Sequence, residues 1–295
     1  MNGIVNVNKP TGITSHDVVY RLRKILNIKK IGHTGTLDPD AEGVLPMCVG
    51  KGTKIADELT AKEKQYLAEL TLGITTDTQD ISGKVLKTRA VTSSREEIEN
   101  AIMSFVGEIE QIPPMYSAIK VNGRKLYELA REGKTVEMPP RAVTVYNIEI
   151  MDIDTVNNKV SFLVDCSKGT YIRTLCHDIG EKLGCGGVMS KLKRTRSGDF
   201  RIEESYTLEQ IEEMAKRGDF SFLKSIDSAL SKYEKVVLAD KNAKRLCNGV
   251  KIKVAGIPEG TIFRAYDEQK TFLALCRADG NQVKILRAFF GEEPK

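Results

Sequence analysis

The chain of 295 residues contains no run of 18 or more apolar residues, so no membrane-spanning helix is expected. Residues 1–10 show no basic segment followed by an apolar one, so no secretory signal is expected. Internal repeats and low-complexity tracts are absent. The six cysteines, at 48, 166, 176, 185, 247 and 276, form no C-x-x-C pair, and neither they nor the three histidines have zinc-type spacing. No metal site is therefore expected. A chain this long can build a core without disulfide staples, so reduced, structural thiols in a cytoplasmic protein are the expectation. With 41% apolar and 29% charged residues, the composition excludes a disordered chain, a collagen and a coiled coil.

What is present starts with charge. Lys and Arg exceed Asp and Glu by 45 to 40. From Lys241 to the end there are 11 basic and 6 acidic residues, so the tail carries the whole excess. Residues 1–240 are neutral overall, but their charges cluster. Arg21, Arg23, Lys24, Lys29 and Lys30 form one group, and Lys191, Lys193, Arg194 and Arg196 another. Basic patches on a near-neutral body suit a polyanionic partner, or else they are solvated faces.

Length suggests about two domains. Thr14-x-x-Asp17 resembles a capping box, and Val18, Val19, Leu22, Ile25 and Leu26 follow with helical spacing. Ser94-x-x-Glu97 and Thr207-x-x-Gln210 open further helices. Lys64–Leu72 and Val160–Cys166 alternate as strands. Residues 112–141 begin and end with proline pairs and hold five basic residues and two tyrosines between them, a candidate binding loop or a surface hairpin. After Tyr233, short β-rich runs separated by glycines, Val250–Val254 among them, predict a small all-β domain, partly closed like a barrel. The division expected is 1–235 and 236–295.

Several motif matches fail. Gly50-Lys51 lacks the first glycine and the Ser or Thr of a phosphate-binding loop. Ser117-x-x-Lys120 lacks the downstream partners of a serine–lysine acyl transferase. His33 and Asp38 have no nucleophile of triad type. Gly32-His33-Thr34-Gly35-Thr36-Leu37-Asp38-Pro39 is denser in chemistry. Glycine permits close backbone approach to a ligand. An Asp before Pro is held out of the helical region, either as a reactive carboxylate or as a simple Asx-turn.

This loop resembles the catalytic motif of the bacterial tRNA pseudouridine-55 synthase family (TruB). Other blocks match in the same order: Asn8-Lys9-Pro10-x-Gly12-x-Thr14-Ser15, Gly43-Val44-Leu45, Lys64-Gln65-Tyr66, Pro113-Pro114-x-x-Ser117-Ala118-x-Lys120, and Cys166 to Arg173 followed by Gly184-Cys185-Gly186. The resemblance spans roughly residues 3–200, and the tail more loosely resembles a PUA domain. It implies an α+β catalytic domain with a central, mainly antiparallel sheet and a thumb-loop insertion at about 112–141, plus a C-terminal all-β RNA-binding domain.

The resemblance also implies roles. Asp38 would be the catalytic carboxylate, Tyr66 the aromatic that stacks on the flipped uracil, and Arg173 the partner of Asp38. His33 would fill the space the base leaves. Lys9, Thr34, Gly35, Lys168 and Tyr171 would contact substrate or support the loop. No cofactor or metal is implied, because the detached uracil is both leaving and incoming group. The implied partner is the T-arm of tRNA, with uridine 55 as target and no obligate protein partner, the enzyme acting as a monomer. A guide-RNA-dependent synthase of the same superfamily and a non-catalytic RNA-binding protein or chaperone are the competing readings.

Overall fold

The computed structural model describes residues 1–60, 62–117, 119–121, 123–254 and 256–291. Ala118, quoted above in the thumb motif, lies outside them, as do the last four residues of the tail. Ten strands form one sheet, eight of them in the order Leu223–Lys224, Gly3–Lys9, Glu42–Val49, Gly187–Ser197, Lys64–Leu72, Lys159–Cys166, Arg141–Asp154, Gly107–Gln111. Every pairing in it is antiparallel except that of Glu42–Val49 with Gly187–Ser197. This is the mainly antiparallel α+β architecture expected.

The sheet buries one face along its whole width, and at Gly3–Lys9 and Glu42–Val49 it is buried on both. In Lys64–Leu72 the side chains of Lys64, Tyr66, Ala68, Leu70 and Leu72 point into the core, and Val160, Phe162, Val164 and Cys166 do the same in the neighbouring strand. Alternation at period 2 is what lets a strand carry both a core face and a solvated one. Helix Ser15–Leu26 packs Val18, Val19 and Leu22 against that face, and helix Ile172–Lys182 adds Leu175, Cys176 and Ile179. Three N-termini carry the capping boxes expected, at Thr14/Asp17, Ser94/Glu97 and Thr207/Gln210. Each satisfies two donors that the first helical turn would otherwise leave open. The segment after Pro114 forms a two-residue hairpin, Lys120–Val121 with Arg124–Lys125, and a short helix, Leu126–Arg131.

The tail departs from an all-β barrel in two ways. Val250–Val254 is not a strand, and helix Asp240–Cys247 occupies the preceding segment. The four strands Glu234–Val237, Ile262–Tyr266, Phe272–Asp279 and Gln282–Ala288 form an open sheet, and the first two pair in parallel. Parallel strands need a crossover rather than a hairpin, and the helix supplies it. It buries Ala243 and Leu246 and turns Lys241, Lys244 and Arg245 outward. Asp240 in its first turn and Lys244 and Arg245 in its last suit the helix dipole.

The tail sheet docks on the main sheet through one apolar cluster. Leu275 packs with Ile4, Val44, Cys48, Ile55, Leu59 and Leu230, flanked by Phe272, Leu286 and Phe289. Polar contacts rim it: Lys54 donates to the Ala288 carbonyl at 2.8 Å, and Arg287 Nε donates to the Lys54 carbonyl at 2.6 Å. Leu275 is 1% exposed, so Leu275→Ala should leave a cavity and lower stability by about 2–5 kcal/mol, read from urea unfolding.

Candidate active site

The loop from Thr34 to Ala41 is held at both sides of its carboxylate. It leaves the short strand Ile31–His33, which pairs with Met47–Val49. Thr34 N–H then donates to the Pro46 carbonyl. Leu37 is buried, its N–H donates to Ser15 Oγ at 2.9 Å, and its carbonyl accepts from the same hydroxyl at 3.1 Å. The Pro39 carbonyl accepts from Gly12 N–H at 2.9 Å and from Lys9 Nζ at 3.0 Å. Asp38 therefore stands between two anchored neighbours, and the turn closes with Ala41 N–H on its own carbonyl.

Arg173, the second residue of helix Ile172–Lys182, meets Asp38 directly. Its Nε lies 3.0 Å from Asp38 Oδ2, and its Nη2 donates to Oδ1 at 3.4 Å. The Arg173 side chain is 6% exposed and that of Asp38 38%. The guanidinium also donates to the Tyr116 carbonyl at 2.8 Å and the Thr78 carbonyl at 3.2 Å, and faces Asp80 Oδ2 at 3.7 Å. Those contacts fix its fork geometry from three further directions. Burial pushes the Asp38 carboxyl above the usual carboxylate range, Arg173 and Lys9 pull it back, and Asp80 adds to the rise.

The other expected residues fall in two groups. Lys9 is fully buried, donates to the Pro10 and Pro39 carbonyls, and is lowered by burial to about 8 despite the attraction of Asp38 and Asp40. His33 Nδ1 accepts from Gly35 N–H at 3.3 Å, which leaves Nε2 to carry the ring proton. Burial, then the charge of Arg194, lowers the His33 imidazole, favouring the neutral ring. The Gly35 carbonyl accepts from Arg194 Nη2 at 3.3 Å. Thr34 Oγ1 is buried and makes no hydrogen bond among the described residues. Tyr66 is 9% exposed in the sheet, and burial raises its phenol. Tyr171 is tied by its backbone to the side-chain amide of Gln111, two residues before Arg173.

Lys168 acts by its charge on Lys64 and, among the described residues, makes no hydrogen bond or ion pair with Asp38 or Arg173. It is exposed on the wall of a cavity of about 390 Å³ that also involves Lys62, Tyr146 and Arg196.

Two charged residues that sequence reasoning does not single out belong to the site. Asp80 sits in a turn built from short polar side chains, accepting from Thr78 Oγ1, Ser82 N–H and Ser82 Oγ. The signal available in the sequence is the polar run Thr75 to Asp80; in the fold Gln79 within it takes φ +63°, an uncommon conformation for a side-chain-bearing residue. Arg194 stands in the sequence only as one member of a basic cluster. It is 2% exposed and donates to the Val44 carbonyl at 2.6 Å as well as to Gly35.

The chain that brings this buried guanidinium to a half-exposed carboxylate is similar to known proteins over most of its length. Residues 23–172 match the TruB family pseudouridylate synthase N-terminal domain, and residues 173–237 match the tRNA pseudouridylate synthase B C-terminal domain. The chain is 50% identical to tRNA pseudouridine synthase B of Alkaliphilus oremlandii, covering 99% of this chain and all of that one. It is 48% identical to the same-named protein of Clostridium kluyveri, covering 98% and 100%. Among solved structures, an H/ACA RNP bound to a substrate RNA containing 2′-deoxyuridine superposes with a TM-score of 0.73 at 28% identity, covering 98% of this chain and 85% of that chain. A Cbf5–Nop10–Gar1 complex superposes at 0.72 with 30% identity, covering 96% and 83%. On matched domains that span most of its length and relatives aligned end to end, the chain belongs to the TruB family of pseudouridine synthases.

Proposed function

We propose that this enzyme converts uridine 55 in the T-arm loop of tRNA to pseudouridine, without cofactor, in the cytoplasm and acting alone. The observation that carries the reading is the aimed Asp38–Arg173 pair at 3.0 Å. Full-length identity near 50% to proteins named tRNA pseudouridine synthase B supports tRNA as substrate, whereas the RNP structures share only 28–30%. That difference favours a stand-alone enzyme over a guide-dependent one.

The chemistry breaks N1–C1′ and forms C5–C1′, with the uracil rotated in between. Attack of the carboxylate at C1′, attack at C6 and elimination through a glycal all begin with Asp38 ionised. Arg173 keeps the carboxylate charged and directed once RNA excludes water, where a lone buried charge would be costly. The target base leaves its stack at a cost of a few kcal/mol, and stacking on Tyr66 returns about 1–3 kcal/mol. The terms are close, so backbone contacts must supply the remainder. Lys168 and the outward cations of helix Asp240–Cys247 are placed to meet phosphates away from the reacting base.

Asp38→Asn should abolish pseudouridine formation on an unmodified tRNA transcript while leaving the dissociation constant within several-fold. Arg173 retains the Thr78 and Tyr116 carbonyls in that variant, so the fold should survive; appreciable product from pure Asp38→Asn would refute the assignment.

The pH profile gives a second test. Because the Asp38 carboxyl is raised, kcat/KM should fall on the acid side at a higher pH than an ordinary aspartate would give. Replacing Arg173 by the less well matched lysine weakens the influence that lowers it, so in Arg173→Lys the acid limb should move to still higher pH. A limb that stays in place would show that Arg173 does not control the charge of Asp38.

The tail gives the third. Lys241→Gln with Lys244→Gln should raise KM and leave kcat unchanged, because such contacts act alike on ground and transition states. The slope of log affinity against log salt should become shallower by about 0.9 for each duplex phosphate that is no longer neutralised. An unchanged slope would leave these lysines as a solvated face.

A further inference from the structure

Arg194 is the largest of the fully buried side chains, and its charge cannot be discharged by losing a proton. Among the described residues no carboxylate lies within ion-pair distance of it; the acceptors it does have at 2.6 and 3.3 Å are the neutral carbonyls of Val44 and Gly35. Removing a guanidinium from water without a counter-charge costs several kcal/mol. Nearby groups share that cost. Lys9, Lys64 and His33 are each pushed toward their neutral forms, first by burial and in part by the charge of Arg194.

The backbone holds this cation in one place. Arg194 pairs in parallel with Gly43, and a Cβ on Gly43 would lie 2.3 Å from the Arg194 carbonyl oxygen. Only glycine, here at φ +105°, lets the two strands come this close. On its other side Arg194 is the direct cross-strand partner of Tyr66. Directly opposed across an antiparallel pair, the two side chains rise from the same face of the sheet, and the charge of Arg194 favours the ionised phenol against the effect of burial. Of the titratable groups that feel the charge of Arg194, which are Lys9, His33, Lys64 and Tyr66, the phenol is the one that can become an anion.

We infer that Arg194 is a positioning residue that acts through Tyr66, fixing the tyrosine hydroxyl at the edge of the site and stabilising the phenolate left when that hydroxyl gives its proton to water, a base able to take the C5 proton of the rejoined uracil while N1 gains one from water. The inference rests on the reading of Tyr66 as the aromatic that faces the uracil. It gives the buried charge a use that the two carbonyl contacts alone do not, since a neutral donor would serve those at lower cost.

A double-mutant cycle on single-turnover rates tests it. Arg194→Met should slow pseudouridine formation by about 10²-fold, the usual loss for one aimed donor, with RNA affinity changed by less than about threefold because the side chain is out of reach of substrate. Arg194→Lys, which keeps the charge, should lose only about tenfold by the same measure. If Arg194 works through Tyr66, adding Arg194→Met to Tyr66→Phe should slow the reaction by less than about tenfold beyond Tyr66→Phe alone. Independent action multiplies the factors, and a further loss near 10²-fold would overturn the inference. If Arg194→Met does not fold, the same cycle with Arg194→Lys decides: no added loss on Tyr66→Phe supports the inference, and the full tenfold overturns it. A fully active Tyr66→Phe would instead remove the reading of Tyr66 itself, an outcome distinct from a slow Tyr66→Phe that combines multiplicatively with Arg194.

Discussion

The ion pair between Arg173 and Asp38 is the constraint that organises the site. A guanidinium with 6% of its side chain exposed needs every donor engaged, and its acceptors come from separate parts of the chain. They are the carboxylate of the Thr34–Ala41 loop, the Thr78 carbonyl and Asp80 of a polar turn, and the Tyr116 carbonyl at the start of the thumb. The helix beginning at Ile172 brings the arginine to the point where these converge. The pair is thus a meeting place for tertiary contacts, and it tunes the carboxylate at the same time: burial raises Asp38, and the arginine holds it near the charged form. A carboxylate that is costly to ionise in the free enzyme and well aimed is suited to reacting when RNA closes over it.

Around that pair the protein buries cations against neutral dipoles. Lys9, Lys64 and Arg194 lie at or below 6% exposure, and they donate to the backbone carbonyls of Pro10, Pro39, Thr60, Lys62, Val44 and Gly35. Two of them, Lys9 and Lys64, are lowered to about 8. The result is a region of positive potential held by carbonyl groups, which suits the approach of a polyanionic substrate. The same carbonyl contacts brace the loop, since Lys9 grips Pro39 and Arg194 grips Gly35 on either side of Asp38.

The tail is coupled to this arrangement through packing. Its sheet seals the far side of the strands Gly3–Lys9 and Glu42–Val49 with Leu275 and its neighbours. The first of these strands ends at Lys9 and the second carries Val44, whose carbonyl holds Arg194. The segment that carries the chain's net positive charge is therefore also a structural support for the strands that frame the site.

The sequence alone determined whatever depends on near neighbours in the chain. Capping boxes at Thr14, Ser94 and Thr207, the period-2 strand at Lys64–Leu72 and the dense loop around Asp38 all rest on interactions within a few residues, which a sequence displays. It also carried the motif order that placed Asp38, Tyr66 and Arg173 together as candidates, and in the fold Arg173 contacts Asp38. It did not show the helix Asp240–Cys247, whose apolar face is only Ala243 and Leu246 and whose place is set by the parallel pairing it bridges. Nor could it show that Asp80 faces Arg173 across 93 positions, that Arg194 is buried while Lys191 in the same basic run is exposed, or that Lys168 lines a cavity with Lys62, Tyr146 and Arg196. Those facts depend on which strands pair, in what register and over which face. Strand register turns a one-residue step into the difference between core and solvent, and it is settled by contacts between segments distant in sequence.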